Sequence, residues 1–249
     1  MRGIKKVLLA VVSLFVLEFA FAIHEYGHLR EFQKRDIPIK EFSLGIGPSV
    51  YQHQIGTFIF SVRIVPLMAY VAPTAGGERL FEDKVSLWGK IAVHTAGIRN
   101  NFLCGVGPVL LLQILGWMKG NLSLRESAGT IAITPFKVIF RFFSLFIGCI
   151  TAGSVNLTNR FLLSTGGINP SRPLKNLIIF NLILGMVNLV PLPPLDGSSA
   201  AQAILLLLGI DVRIFHIPGV VAFGVFMAFF MILQHQDLRM LEIESQDKL

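Results

Sequence analysis

An apolar run over residues 7–23 passes straight into His24-Glu25-Tyr26-Gly27-His28, and this junction restricts the chain more than any other feature. The run is long enough to cross a bilayer as a helix and holds one carboxylate, Glu18. On a helix, positions i and i+4 share a face, so His24 and His28 can offer imidazole nitrogens to one metal ion. Glu25 then lies close enough to act on a water at that metal. Zinc suits this chemistry, because two neutral histidines plus one carboxylate leave a fourth position for water, whose pKa falls to about 7. The plain alternative is a pair of solvated or core histidines on a helix, and the five residues alone leave both open.

The composition is that of a membrane chain. Hydrophobic residues make up 53% and charged residues 15% of the 249, with a mean hydropathy of +0.66. Soluble domains carry about 25% charged residues. Twenty-one Phe stand against three Tyr and two Trp, which suits side chains surrounded by lipid. The net charge of +7 does not call for nucleic acid, and none is expected as a partner. Lys and Arg are spread along the segments between apolar runs, where topology signals belong. Cys104 and Cys149 fall inside apolar runs and read as small buried residues without a disulfide.

Residues 1–6 form a basic lead, and with the apolar run they imitate a secretory signal in which Ala20-Phe21-Ala22 stands as the cleavage site. Cleavage there would leave His24 without a helix to hold it, so a retained span is expected. Glu18 sits seven residues before Glu25. It reads either as a functional carboxylate or as a neutral, hydrogen-bonded acid facing another helix. Residues 29–40 are charged and leave the bilayer. Residues 41–48 and 57–66 are strand-like pieces bounded by Gly56 and Pro66, and they predict a β-hairpin or small membrane-associated sheet over residues 41–72. Residues 73–90 read as a Gly-rich, charged connection.

A second span is expected over residues 91–118. Its Gly97, Asn101 and Gly105 form a small-polar-small stripe, against which another helix packs and through which Asn101 can hydrogen-bond. Residues 136–153 are apolar but carry Lys137 and Arg141, so they either span or lie at the interface. Residues 174–190 are apolar again. Pro191, Pro193 and Pro194 then stop the helix, and an extended turn presents Asp196. A short helix over 198–209, a last span over 214–233 and a polar tail complete the chain.

For one metal to touch His24, His28 and Asp196, the spans that end at them must run in the same direction. The span over 91–118 supplies the one crossing needed between them, so 136–153 should not cross. The expected fold is therefore an all-α polytopic membrane protein of about four transmembrane helices with a small membrane-associated β-hairpin, in one domain over residues 1–249. Eight Lys and Arg lie between His28 and Lys90 against three in the N-terminal lead. The excess places the metal side at the cytoplasm.

Five stretches resemble the site-2 protease family of intramembrane zinc metalloproteases, in particular its bacterial regulator-of-sigma-E branch. They are His24-Glu25-Tyr26-Gly27-His28, Phe42-Ser43-Leu44-Gly45-Ile46-Gly47-Pro48, Val65-Pro66-Leu67-Met68-Ala69-Tyr70-Val71, Gly97-x-x-x-Asn101-Phe102, and the run from Asn188 to Gly197. The resemblance implies His24, His28 and Asp196 as zinc ligands and Glu25 as catalytic base. It implies a substrate contact at Asn188, and an edge strand over residues 57–70 that pairs with an unwound substrate. Ile59 and Ser61 on that strand, and Asn101, join the substrate-binding candidates. Substrates would be single-span membrane proteins, cut in or near their transmembrane segments at the bacterial inner membrane.

Two departures stand out. Members of this branch usually carry PDZ domains before the aspartate-bearing span, whereas here residues 119–135 are too few for one. Substrate screening is then absent or left to a regulatory partner protein. The usual A-G-P reads Ala96-Gly97-Ile98, which alters the packing near Asn101. Two rival functions have their own signatures. A metal-ion transporter or sensor needs further ligands along a path, and only Glu18 and His94 are offered. A catalytically silent scaffold has no need of Glu25.

Overall fold

The computed structural model describes residues 2–118 and 173–210, together with positions 221 and 224. The chain divides into two compact units, residues 1–109 with 169–216 and residues 110–168 with 217–249. The described part of the second unit is the end of one helix, residues 110–118, with positions 221 and 224.

Helix α1, Arg2–Gln33, continues past the apolar run and through both histidines. Leu, Val and Phe dominate it, and no proline interrupts it. Ala20, the first residue of the cleavage-site look-alike, is fully buried. A turn at Lys34–Asp36 leads into β1, Ile39–Ile55, and β2, Phe58–Pro73. These strands are far longer than the sequence suggests, and both are bent. Residues 49–55 pair antiparallel with 58–63, from Ser49↔Arg63 to Ile55↔Phe58. Earlier in β1, residues 39–44 pair antiparallel with 69–73 on one side. On their other side Glu41, Phe42, Ser43 and Leu44 partner Ile59, Phe60, Ser61 and Val62, numbers that rise together as in a parallel pair. Gly45 and Gly47 make the bend possible with φ of 82° and 89°, a region that disfavours other residues.

One face of this folded-back sheet packs on α1. Leu29, Ile39, Phe42 and Phe58 form a buried cluster with Phe32, Leu44, Phe60 and Val71 against it. Each such side chain contributes about 1.5–3 kcal/mol when fully buried. Arg63 ties three segments together. Its guanidinium donates to Ser43 Oγ at 2.9 Å, Gly47 O at 2.6 Å and Glu41 Oε1 at 2.8 Å, while Tyr70 OH donates to Glu41 Oε2 at 3.1 Å.

Helices also form within residues 73–90, where an irregular connection is expected. In α2, Ala75–Lys84, the Thr74 hydroxyl caps the Gly77 N–H at 3.0 Å. In α3, Leu87–His94, Ser86 caps Gly89 N–H at 3.2 Å. The paired glycines 76 and 77 hid the first cap. The expected single helix over 91–118 is broken at Thr95, whose hydroxyl donates to Ile91 O at 2.8 Å, and α4 follows as Ala96–Met118. Helix α5 is Pro173–Val187 and α6 is Asp196–Leu207.

The expectation of a four-span all-α protein is corrected here. Among the described residues there are six helices and an antiparallel β1–β2 sheet, and no helix is long and apolar enough to cross a membrane. Helices α5 and α6, of 15 and 12 residues, reach only about 22 and 18 Å at 1.5 Å per residue, against about 30 Å of hydrocarbon. Helices α1 and α4 have the length. Over their described positions, however, polar groups break the apolar run: Glu18, His24, Glu25 and His28 in α1, and Arg99, Asn100 and Asn101 in α4. The stretches 136–153 and 214–233, on which the crossing count depended, lie outside the described residues, as does Cys149.

The C-terminal end of α1 is fastened by charge. Glu31 is buried, and Lys34 at 2.8 Å, Arg35, and Arg99 at 3.3 Å surround its carboxylate. Burial works to raise the Glu31 pKa, but the hydrogen bonds and charges of Lys34 and Arg35 overcome it and bring it down to about 2. A carboxylate depressed in the folded state stabilises the fold above its unfolded pKa, and the contribution is lost as pH falls toward the folded value. Between pH 4.5 and about 2, the unfolding midpoint of the native chain should therefore fall more steeply than that of Glu31→Gln. Parallel curves from thermal melts would remove this ion cluster from the account.

Candidate metal centre

His24 and His28 stand one turn apart on α1, with their Nε2 atoms 3.3 Å apart and their rings edge to face. The third member comes from far along the chain. Asp196, the first residue of α6, places Oδ2 at 2.8 Å from His24 Nε2 and 2.9 Å from His28 Nε2. The loop carrying it is closed at its base, where Gly197 N–H donates to Asn188 O at 2.7 Å. The prolines between them prevent the helix from continuing, so the chain turns back within a few residues. The start of α6 also favours an anionic side chain through the helix dipole.

The second nitrogen of each ring decides what this cluster is. His28 Nδ1 lies 2.9 Å from Val93 O, and a carbonyl only accepts, so Nδ1 carries the proton. His24 Nδ1 faces Asn101 Oδ1. The Asn101 amide is held in that sense because its Nδ2 donates to Asn181 Oδ1 at 2.9 Å and Ala20 O at 3.3 Å. Two neutral rings protonated at Nδ1 present lone pairs at Nε2. Three lone-pair atoms then converge with no proton between them, which is the donor set of a cation. The 3.3 Å between the two Nε2 atoms matches two ligands on one tetrahedral ion at about 2.0–2.1 Å. A zinc ion fits the residues present.

Glu25 brings its carboxylate to the same place. With His24 and His28 it forms a group whose ligand atoms lie within 4.8 Å of one another. Asp196 touches both nitrogens through one oxygen, and Glu25 lies beside them. The backbone of Val71 lies next to Glu25. The sheet therefore reaches the centre at residues 69–73, which among the described residues pair on one side only.

The remaining sequence candidates are placed as follows. Asn101 is fully buried and engaged with His24 and Asn181. Asn188 donates its side-chain amide to Leu184 O at 3.0 Å, back along its own helix. Ile59 and Ser61 lie on the middle segment of the sheet with partners on both sides, Ile59 between Glu41 and Gln54 and Ser61 between Ser43 and Gln52. Glu18 is only 7% exposed, and the backbones of Gly45 and Met68 lie beside its carboxyl group. His94 stands edge-on to Phe81 at 5.6 Å. The stripe on α4 is used at each step: Gly97 abuts the His24 ring, Asn101 bonds it, and Gly105 meets Leu182 on α5. Sequence reasoning passed over Asn181 and the Val93 carbonyl. Asn181 had a signal, being a lone amide in an apolar helix, whereas a backbone carbonyl has none.

Residues 12–231 match the sequence profile of peptidase family M50. The chain belongs to peptidase family M50. Similar proteins include one of Lactococcus lactis, 31% identical over 92 residues, which covers 36% of this chain and 21% of that protein. One of Vibrio cholerae is 28% identical over 116 residues, 43% of this chain and 25% of its own length. One of Synechocystis is 36% identical over 66 residues, 26% of this chain and 18% of its own. All three carry the name “putative zinc metalloprotease”. The matched stretch thus spans a quarter or less of each relative's length. As an M50 chain, this one places the H-E-x-x-H pair and the distant aspartate of the family resemblance on one point.

Proposed function

We propose that this chain is a zinc metalloprotease that hydrolyses peptide bonds in or near the transmembrane segments of single-span membrane proteins. The observation that carries the reading is the meeting of His24 Nε2, His28 Nε2 and Asp196 Oδ2 with Glu25 beside them. His24, His28 and Asp196 would hold the ion. Bound there, zinc supplies Lewis acidity, activating water near neutral pH and polarising a carbonyl. Glu25 takes the proton of the attacking water and passes it to the leaving amine. Among the described residues, 69–73 have a strand partner on one side only and lie beside Glu25, so an extended substrate added to that edge would lie with its scissile bond at the centre. Asn188, whose carbonyl closes the loop that carries Asp196, would contact the substrate there.

Membrane siting is part of the proposal. Val7, Leu8, Val11, Leu14, Phe15 and Phe19 share one side of α1 and are exposed, Val7 by 65% and Phe15 by 64%. Lipid is the natural cover for such a stripe. The basic residues between His28 and Lys90 place the centre toward the cytoplasm of a bacterial inner membrane. A separate regulatory partner would then select substrates. The transporter and scaffold readings gain nothing here: His94 stands edge-on to Phe81 and is not among the grouped ligand atoms, and a scaffold has no need of Glu25 beside them.

The purified full chain in detergent or liposomes, supplied with zinc, should cleave a model single-span protein. Cleavage should stop on chelation and return on zinc addition. Stoichiometric zinc without cleavage of any single-span substrate tested would favour the sensor or scaffold readings.

A further inference from the structure

Behind the His24 ring lies a line of buried amides that the hydrolytic reading does not use. Asn101 and Asn181 are both fully buried, on α4 and α5. Asn181 Nδ2 donates to Leu177 O at 2.9 Å, which leaves its Oδ1 pointing at Asn101. Asn101 Nδ2 donates to that oxygen at 2.9 Å and, more weakly, to Ala20 O at 3.3 Å. Asn101 Oδ1 is thereby presented to His24 Nδ1. The direction of every bond in the line is set at its far end, by a carbonyl that can only accept.

We propose that Asn181 is a positioning residue of the metal centre, acting through Asn101 to hold His24 in the Nδ1–H tautomer that leaves Nε2 free to bind the ion. An amide is nearly symmetric in shape, so Asn101 would fit its niche in either orientation. Turned over, it would aim its N–H₂ at His24 Nδ1. The ring would then keep its proton on Nε2, where it blocks the ligand lone pair. The better of the two bonds that prevent this turn is the one to Asn181. Partners of the second ring nitrogen typically change metal affinity 10- to 100-fold when removed. Here the control comes from one residue further out. Asn181 touches neither the metal position nor a ligand, and it reaches the site only because α5 packs on α1 and α4 at that level.

The inference rests on the zinc-site reading, and the experiment separates their failures. Zinc affinity of the full purified chain is measured by competition with a coloured chelator, with no substrate present. A native chain that takes up no zinc defeats the site reading itself. If the native chain binds zinc, Asn181→Leu should bind about tenfold more weakly. In the metal-free variant, ¹⁵N spectra of His24 should show the Nε2–H form, which a merely structural defect would not produce. Adding Asn101→Asp should restore the affinity, because a carboxylate accepts from His24 Nδ1 whichever way it is turned. Asn181→Asp keeps the acceptor for Asn101 and should bind zinc much as the native chain does; this variant stands in if Asn181→Leu fails to fold. Native affinity in Asn181→Leu, a loss that Asn101→Asp does not repair, or a large loss in Asn181→Asp would each overturn the proposal.

Discussion

Glu25→Gln should retain stoichiometric zinc while cleavage of a single-span substrate falls by about a hundred- to ten-thousand-fold, the usual worth of a general base. The amide keeps the shape of the side chain and removes its ability to take a proton. His24, His28 and Asp196 are untouched, so the metal has no reason to leave. Asp196→Ala should behave differently, losing zinc and activity together. Its Oδ2 is in contact with both Nε2 atoms, and an open catalytic site needs three protein ligands. Metal analysis beside a cleavage assay on both variants checks the division of roles. Full activity in Glu25→Gln would remove the base, and full zinc in Asp196→Ala would remove the third ligand.

Gly97→Ala should also empty the metal centre, although helix propensity alone points the other way. In the interior of a helix, Ala is more favourable than Gly by about 1 kcal/mol. At Gly97, however, a Cβ would fall 2.4 Å from His24 Nε2 and 2.5 Å from Cε1. Something must shift, and the ring cannot easily do so because Asn101 holds its other edge. The ligand atom itself is displaced, so zinc affinity should drop by at least the 10- to 100-fold seen when a ligand's outer partner is lost. Chelator competition and a thermal melt of the metal-free chain decide the matter together. Unchanged zinc affinity with a raised melting point would show that propensity wins and that the ring has room.

The histidine pair, the carboxylate after the prolines and the family were legible because they rest on short-range pattern. A four-residue spacing on a helix needs no tertiary information, and the Asn188–Gly197 run with its prolines announces a turn that ends in a carboxylate. The span count was not legible in the same way. Hydropathy over residues 7–23 and 91–118 counts side chains without asking what they touch, and it does not see a helix end at Thr95 or polar groups facing a shared centre. The strands failed for another reason. Two bent strands pair with each other twice, so Ile59 and Ser61, which the family resemblance put on an edge strand, lie between two partners. Alternation patterns report which face is buried and say nothing of which segment ends up outermost.

By itself, the sequence determined that His24 and His28 face the same way, that a carboxylate follows a proline-rich stop, and that the chain is an M50 peptidase family member. Helical geometry and proline stereochemistry act over a few residues, so they survive without knowledge of the fold. Only the tertiary structure decided that Asp196 reaches the two imidazoles from 172 and 168 residues away, that the last residues of β2 lie beside Glu25, and that Asn181 stands behind Asn101. Those relations depend on how α1, α4, α5, α6 and the sheet pack. Packing sums many weak contacts between distant segments, and no local pattern of residues encodes such a sum.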